Sequence, residues 1–258
     1  MNTIKLCGGL GNQLFQYAFG RVQKENGIDV EYDRMWYDSR NAKNPPRFYS
    51  LDKFYIDVKL SPRRNNKKII REDGFNPDLL YMDGFNFNGY WQYPAYYDNI
   101  LPILQNELWI KKEYYTAEFL EWRQEIILNN NSVAIHVRRG DYLLLDDFPV
   151  LLLDYYQNAL KKLGGDVYMF SDDMRWCEEH FTEVKFIHLD EHFDFELMKL
   201  CRHNVISRSS FSWWAAYLNA NPSKVVIAPK QQIHCKVREE AQRNKPGIFD
   251  PDTWIHAN

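Results

Sequence analysis

Short apolar segments alternate with amphipathic segments through the second half of the chain, and this alternation constrains the fold more than any other feature. It predicts strands and helices in strict turn, and strands separated by helices pair into parallel sheets with helices on both faces. The sequence therefore predicts a doubly wound α/β unit. The predicted order is strand 133–137, helix 154–163, strand 166–170, helix 174–181, strand 184–189, helix 194–202, strand 204–207, helix 211–220 and strand 224–228.

The start of the chain predicts a second unit of the same kind. Residues 3–7 predict a strand, residues 13–26 a helix with apolar residues at helical spacing, and residues 28–32 the next strand. Further helices are predicted at 96–108 and 113–128. We therefore expect an α/β fold with two facing Rossmann-like domains and a cleft between them.

The boundary between the two domains is predicted at the polar break Asn129-Asn130-Asn131. This division gives a first domain of residues 1–128 and a second domain of residues 129–258.

A glycine-rich turn, Gly8 to Asn12, joins the first predicted strand to its helix. Gly9 and Gly11 allow a ligand to approach the backbone closely. Leu14 occupies the third glycine position of a dinucleotide fingerprint, so that motif is incomplete. A plain strand-to-helix turn is the alternative interpretation.

Composition places the protein among ordinary globular chains and excludes several classes. The 258 residues are 45% hydrophobic and 26% charged, and the net charge of −3 argues against a general nucleic-acid binder. No apolar stretch approaches the roughly 20 residues that span a bilayer, and the N-terminal apolar run is too short for a signal peptide. We expect a cytoplasmic protein with at most peripheral membrane association. Its four cysteines are predicted to be buried thiols in a reducing compartment, without metal-like spacing: Cys7, Cys177, Cys201 and Cys235.

The segment from Asp33 to Pro77 is polar and predicted to be irregular. It carries a basic cluster, for which a solvated loop face and contact with an anionic membrane are both open. The cluster comprises Arg63, Arg64, Lys67, Lys68 and Arg71.

The segment from His136 to Asp141 follows a buried strand, at the end where open parallel sheets bind ligands. Its two guanidiniums, Arg138 and Arg139, suit phosphate oxygens because their planar forks donate paired hydrogen bonds. The sequence therefore indicates a site for a phosphorylated ligand. An ordinary ion pair between an arginine and Asp141 is the alternative.

Two further loops are expected at the same edge. Ser209, Ser210 and Phe211 open a helix whose free N–H groups form an anion site, with simple helix capping as the alternative. Asp172 and Asp173 follow another strand and invite a divalent metal. Since the arginines already supply positive charge, we favour a ribose, base or capping role for these acids.

Four motifs occur in a fixed order, and together they resemble the α-1,2-fucosyltransferases of glycosyltransferase family 11. The resemblance covers nearly the whole chain and is weakest at 33–77. The motifs are Gly8 to Ala18, His136 to Tyr142, Phe170 to Asp173 and Ser209 to Trp214.

The resemblance implies an inverting enzyme with a GT-B-like α/β fold that transfers fucose from GDP-β-L-fucose to a galactoside 2-hydroxyl, without a metal or other cofactor. On this resemblance, residues 1–128 are expected on the acceptor side and residues 129–258 are expected to bind the donor. It also implies that Arg138 holds the β-phosphate, that His136 and Asp141 shape the pocket, and that Asn12 lies by the sugar. The base that deprotonates the acceptor is Asp141, His136 or a diphosphate oxygen. The residues expected to bind the donor are Gly9, Gly11, Arg139, Ser171, Asp172, Ser209, Ser210 and Phe211.

The chain also departs from the family pattern near this site. Arg208 stands where the motif more often has a small or amide residue, and the segment from Tyr142 to Leu153 is apolar and short. These departures leave the acceptor open, with a galactose-terminated glycan, free or lipid-linked, as the expected partner. The alternatives are a different nucleotide sugar or linkage, and a non-catalytic protein that binds glycans or nucleotides.

Overall fold

The computed structural model describes residues 1–38, 46–61, 66–144, 150–230 and 250–257. Two compact units, Met1–Trp109 and Ile110–Asn258, are each built around a parallel sheet. The α/β class with parallel sheets is therefore confirmed.

The first unit has a four-stranded sheet in the order β2-β1-β4-β3, and every strand pair is parallel. The predicted strand 3–7, helix 13–26 and strand 28–32 are present with shifted ends. Its elements are β1 (Asn2–Lys5), α1 (Leu10–Glu25), β2 (Val30–Asp33), α2 (Met35–Asp38), β3 (Ile69–Arg71), β4 (Asn86–Asn88) and α3 (Leu101–Glu107).

Two expectations for the first unit were wrong in part. The segment 33–77, predicted to be irregular, contributes α2 and the edge strand β3. The helix predicted at 96–108 is divided, since two short 3-10 turns precede α3.

The second unit has a six-stranded sheet in the order β10-β9-β8-β5-β6-β7, again parallel throughout. The nine predicted strands and helices are present in the predicted order, and β10 is an addition. Its elements are α4 (Ala117–Leu128), β5 (Ser132–Val137), α5 (Leu153–Leu163), β6 (Asp166–Ser171), α6 (Met174–His180), β7 (Lys185–Ile187), α7 (Glu191–Leu200), β8 (His203–Val205), α8 (Ser210–Leu218), β9 (Val226–Pro229) and β10 (Ile255–Ala257).

The division between the units lies earlier in the chain than the boundary predicted after residue 128. Helix α4 packs against α7, where the rings of Phe119 and Phe193 stack with centroids 4.6 Å apart. The backbone N–H of Ile110 donates to Glu196 Oε2 at 2.9 Å, and Glu196 is 1% exposed. These contacts place α4 and the segment before it in the second unit.

The predicted buried thiols and basic cluster are described in part. Cys177 and Cys201 are buried free thiols, whereas Cys7 is half-buried, and Cys235 lies outside the described residues. Lys67 Nζ donates to Thr3 Oγ1 at 3.2 Å, so Lys67 belongs to a polar network on the sheet rather than to a solvated loop face. Arg63 and Arg64 also lie outside the described residues.

Across the described ranges, the structure contains no helix with both the length and the apolar character that bilayer crossing requires.

Candidate functional site

Three loops meet at the carboxyl edge of the second sheet because β5 pairs in parallel with both β6 and β8. Val137 lies opposite Ser171, and Ile135 lies opposite Val205. The loops that follow these strands carry the predicted motifs. This is the edge at which open α/β sheets bind ligands.

Arg138 is held between two carboxylates. Its Nη2 donates to Asp141 Oδ1, and its Nη1 lies 2.8 Å from Asp172 Oδ2. The guanidinium also lies over the Tyr142 ring, with Cζ 5.2 Å from the centroid. The ion pair with Asp141, which the sequence left open as the alternative to a phosphate site, is therefore present, and the side chain remains 17% exposed.

Arg139 turns its guanidinium toward the start of α6. Its Nε donates to Asp173 Oδ2 at 3.1 Å, and Cζ lies 4.2 Å from the Trp176 ring centroid. Asp173 also caps α6, since its Oδ1 accepts a hydrogen bond from the Trp176 N–H. The Arg139 side chain thus fixes the β6–α6 loop, and its predicted contact with the donor stays a prediction.

The Asp172 carboxylate lies among groups that stabilise its negative charge. Its Oδ1 accepts from the backbone N–H of Arg139 at 2.9 Å, while its Oδ2 faces Arg138. A Cβ at Gly140 would overlap this carboxylate, so only glycine lets Asp172 approach so closely. Ser171 Oγ accepts from the Asp173 N–H at 2.9 Å and shapes the same loop.

His136 is buried beneath these loops. Its Nδ1 lies 2.8 Å from Ser207 Oγ, and its ring lies 5.5 Å from that of Phe211. Burial, with a smaller contribution from the Arg138 charge, lowers the pKa of His136 to about 3. The imidazole is therefore neutral near pH 7 and is a weak general base there, because efficient bases have a pKa near the working pH.

The start of α8 completes the edge. Ser209 is the N-cap, and its Oγ accepts from the Phe211 N–H at 3.3 Å. Ser210 is the first helical residue, and no acidic side chain lies in the first turn. Capping, the alternative that the sequence left open, accounts for Ser209 and leaves the helix dipole available to an anion.

The positive charge that the two arginines supply at this edge is offset by neighbouring carboxylates. Arg138 and Arg139 contact Asp141, Asp172 and Asp173, so the carboxylates outnumber the two guanidiniums by one formal charge. An anionic ligand at this edge would therefore have to displace a carboxylate from Arg138 or bind further positive charge.

Arg208 is the nearby cation that the sequence singled out only as a departure from its family. The Tyr142 hydroxyl donates to the Arg208 carbonyl at 2.9 Å, while the Tyr142 ring lies against Arg138. Partial burial lowers the pKa of the Arg208 guanidinium from its ordinary value.

No group of three or more His, Cys, Asp or Glu side chains within the described ranges is arranged to hold a metal ion. Whether the reaction needs a metal is a separate question, and the metal-free expectation stays a prediction.

The glycine-rich turn lies at the carboxyl end of β1 in the first unit. Gly9 is the N-cap of α1 and has no side chain to cap it, while Gly11 is buried within the helix. Asn12 accepts a hydrogen bond at Oδ1 from Gln92 Nε2 at 2.9 Å. The contact between Gln92 and Asn12 depends on how β1 and β4 pair, so no local sequence pattern predicts it.

Solved structures establish the class to which this fold belongs. The protein resembles the fucosyltransferase NodZ from Bradyrhizobium with a TM-score of 0.53 and 13% identity, covering 83% of this chain and 91% of NodZ. The crystal structure of the NodZ α-1,6-fucosyltransferase soaked with GDP-fucose gives a TM-score of 0.52 at 14% identity. The match covers 84% of this chain and 91% of NodZ. This chain therefore has the GT-B-like α/β fold, as predicted.

The sequence model of glycosyl transferase family 11 matches residues 1–248, and this protein belongs to that family. The family assignment confirms the resemblance and identifies the protein as a glycosyltransferase.

Two similar proteins from Escherichia coli match this chain over nearly its whole length. The O-antigen biosynthesis glycosyltransferase WbnK is 26% identical, covering 97% of this chain and 98% of WbnK. An α-1,2-colitosyltransferase is 27% identical, covering 97% of this chain and 97% of that protein.

The galactoside 2-α-L-fucosyltransferase of Caenorhabditis elegans matches a smaller part of this chain. It is 26% identical, covering 68% of this chain and 52% of its own length.

Proposed function

We propose that this protein transfers L-fucose from GDP-β-L-fucose to the 2-hydroxyl of a galactoside, with inversion at the anomeric carbon. The proposal is supported by membership of family 11 and by similarity to a galactoside 2-α-L-fucosyltransferase. The observation that carries it is Arg138, a partly exposed guanidinium at the carboxyl end of β5.

The chemistry follows from where charge develops. As the bond to GDP stretches, the sugar becomes oxocarbenium-like and negative charge grows on the leaving diphosphate. In this proposal Arg138 and the N–H groups at the start of α8 stabilise that charge, which lowers the barrier because they bind the transition state better than the ground state. Arg208 adds the positive charge that the carboxylates around Arg138 offset.

The acceptor hydroxyl must lose its proton, and the low pKa of His136 makes it a weak base for this step. Asp141 or an oxygen of the departing diphosphate remains. Asp141→Asn separates the two, because a diphosphate base retains activity in this variant and an Asp141 base does not. GDP binding serves as the control for the integrity of the site.

We further propose that the donor-binding role belongs to the second unit, that no metal is needed, and that the acceptor is a surface-polysaccharide glycan, free or lipid-linked. The name of WbnK, an O-antigen biosynthesis enzyme, supports the glycan class. The cytoplasmic location and at most peripheral membrane contact stay predictions.

A colitose donor is the second candidate, because an α-1,2-colitosyltransferase matches the whole chain. Colitose is the 3-deoxy counterpart of fucose, so the two donors differ by one hydroxyl.

The test is transfer from a matched panel of GDP-fucose, GDP-colitose, GDP-mannose and UDP-galactose to galactose-terminated acceptors, with the product linkage read by NMR. We expect GDP-fucose to be used best and a new α-1,2 linkage to form. Preference for GDP-colitose would replace the donor assignment, and binding without any transfer would favour the non-catalytic alternative.

A further inference from the structure

Two amide side chains meet at the carboxyl edge of the first sheet. Strands β1 and β4 are parallel neighbours, with Ile4 opposite Phe87, so the segments that follow them emerge together. There Gln92 Nε2 donates to Asn12 Oδ1 at 2.9 Å. Gln92 is only 8% exposed, whereas Asn12 is partly exposed at the start of α1.

The backbone before Gln92 adopts a conformation that side-chain-bearing residues seldom take. Trp91 has φ of +59°, in the left-handed region. Its ring is fully buried, stacked on Phe19 at 4.3 Å and edge-on to Phe87 at 5.9 Å. Such strain persists only where the surroundings fix it, and the buried ring does so here. The strained turn is what directs Gln92 toward Asn12.

A second glutamine ties the same two segments together. Gln16 Oε1 accepts from the Cys7 N–H at 2.9 Å, and Gln16 Nε2 donates to the Gly89 carbonyl at 3.2 Å. The distance between the glycine-rich turn and the β4 loop is therefore fixed independently of the Asn12 contact.

Asn12 Oδ1 already accepts a hydrogen bond from Gln92, so the Nδ2 donors are the part of the Asn12 amide that is fully available to a ligand. Nδ2 lies 2.6 Å from where a Cβ at Gly8 would be, and Gly8 has φ of +82°, so the turn requires glycine on both counts. Within the described residues Nδ2 makes no hydrogen bond. The Nδ2 group can therefore donate to an acceptor on a ligand at this turn, and the hydroxyl and ring oxygens of a sugar are such acceptors.

We propose that Gln92 is a positioning residue that fixes the orientation of the Asn12 amide, so that the turn presents N–H donors to an oxygen of the transferred sugar. The hydrogen bonds then run in one direction, from Gln92 to Asn12 and from Asn12 to the sugar. This inference rests on the proposed function, since the sugar is that of the nucleotide-sugar donor.

The decisive variant is Gln92→Glu, which keeps the shape of the side chain and replaces its donor by an acceptor. The new carboxylate attracts the Asn12 N–H groups, so the amide turns and presents its carbonyl to the sugar. We expect kcat/KM for the preferred nucleotide sugar to fall about tenfold to hundredfold, because misdirected contacts at a reacting substrate have effects of this size. GDP affinity stays within about twofold. Gln92→Leu removes the donor without reversing it, and we expect a smaller loss.

A double-mutant cycle separates positioning from general structural damage. If Gln92 acts through Asn12, then Gln92→Glu has less than a twofold further effect in an Asn12→Ala background. Gln23→Glu is the matched control, since Gln23 is a buried glutamine of the same unit whose Nε2 donates to the Leu79 carbonyl at 2.9 Å. It is expected to lower the melting temperature without changing turnover per folded molecule.

The outcomes are distinct. Wild-type turnover in folded Gln92→Glu, or an undiminished effect of this change in the Asn12→Ala background, overturns the positioning role and leaves the proposed function intact. If the wild type turns over no nucleotide sugar, the proposed function fails and this inference fails with it.

Discussion

Replacing Arg138 gives the sharpest test of how the second unit handles a diphosphate. Arg138→Ala removes the guanidinium that contacts Asp141 and Asp172 and leaves both carboxylates beside the third, Asp173. The site then loses a hydrogen-bond donor to the leaving diphosphate and becomes more negatively charged. We expect transition-state binding to weaken by about 3 kcal/mol, more than a hundredfold in kcat/KM, as for the loss of one preorganised donor.

The stability change should be small by comparison. Arg138 is partly exposed, and its ion pairs are screened by solvent, so their loss is expected to lower unfolding free energy by about 1 kcal/mol. In a chain of this size that corresponds to a shift of about 2–4 °C in melting temperature. Arg138→Lys should recover only part of the activity, because an ammonium lacks the planar fork that reaches two acceptors.

The assay measures fucosyl transfer, GDP binding and thermal unfolding for both variants. Arg175→Ala is the matched control, since Arg175 also pairs with a carboxylate in the second unit but its side chain is 89% exposed. A folded Arg138→Ala protein with near-wild-type transfer would refute the reasoning. So would a variant that unfolds at ordinary temperature, because Arg138 would then be a structural partner of Asp141 and Asp172.

Three further predictions address the same edge of the sheet. GDP at about 100 times its dissociation constant is expected to stabilise the protein against thermal unfolding by about 2.7 kcal/mol. EDTA should change neither this stabilisation nor the rate of fucosyl transfer. Transfer that is lost in EDTA and restored by Mg²⁺ or Mn²⁺ would assign Asp172 and Asp173 to a metal. Arg208→Gln is expected to weaken GDP binding about tenfold, or about 1.4 kcal/mol, and to reduce the salt dependence of that binding, both measured by calorimetry. Arg202→Gln is the control, since Arg202 precedes β8 rather than following it and its Nη1 donates to the Asn130 carbonyl at 2.7 Å. Equal GDP affinity in the two variants would contradict the charge balance. Because the pKa of His136 is lowered from about 6.5 to about 3, the unfolded chain binds a proton at a higher pH than the folded chain does. The free energy of unfolding should therefore fall as the pH drops from about 6.5 toward 3, by up to about 1.4 kcal/mol per pH unit. His136→Gln should flatten this slope in denaturant titrations, and an unchanged slope would show that His136 is not its source.

The sequence predicts most of the second unit because its strands are buried on both faces. Residues 132–137 form an unbroken buried run, and such runs separated by amphipathic helices leave little choice of architecture. Strand β4, Asn86–Asn88, is short and flanks its one buried residue with polar ones. The sequence predicts a strand end near residue 88, but no local pattern shows that this strand pairs with neighbours on both sides.

The composition of the site was predictable, but its internal pairing was not. Motif positions place Arg138 and Asp172 on neighbouring loops, while only the register of β5 with β6 shows that Asp172 lies against both Arg138 and the Arg139 N–H. The burial that lowers the pKa of His136 likewise depends on the Ser207 loop above it. Long-range pairing of this kind leaves no signature in a single sequence.

The docking of α4 on α7 determines where the chain can be cut for autonomous expression. A fragment that begins at residue 129 lacks Phe119, whose ring stacks on Phe193. It also lacks two partners of Glu196, the backbone N–H of Ile110 and the Arg123 guanidinium, which lies 3.7 Å from Glu196 Oε1. Removal of α4 also exposes to water the apolar side of α7 that Phe119 covers, and burial of apolar surface is the main source of the marginal stability of a domain. A fragment that begins at residue 110 keeps these contacts, so excision of the second unit should succeed there and yield aggregating material when the cut is made at 129.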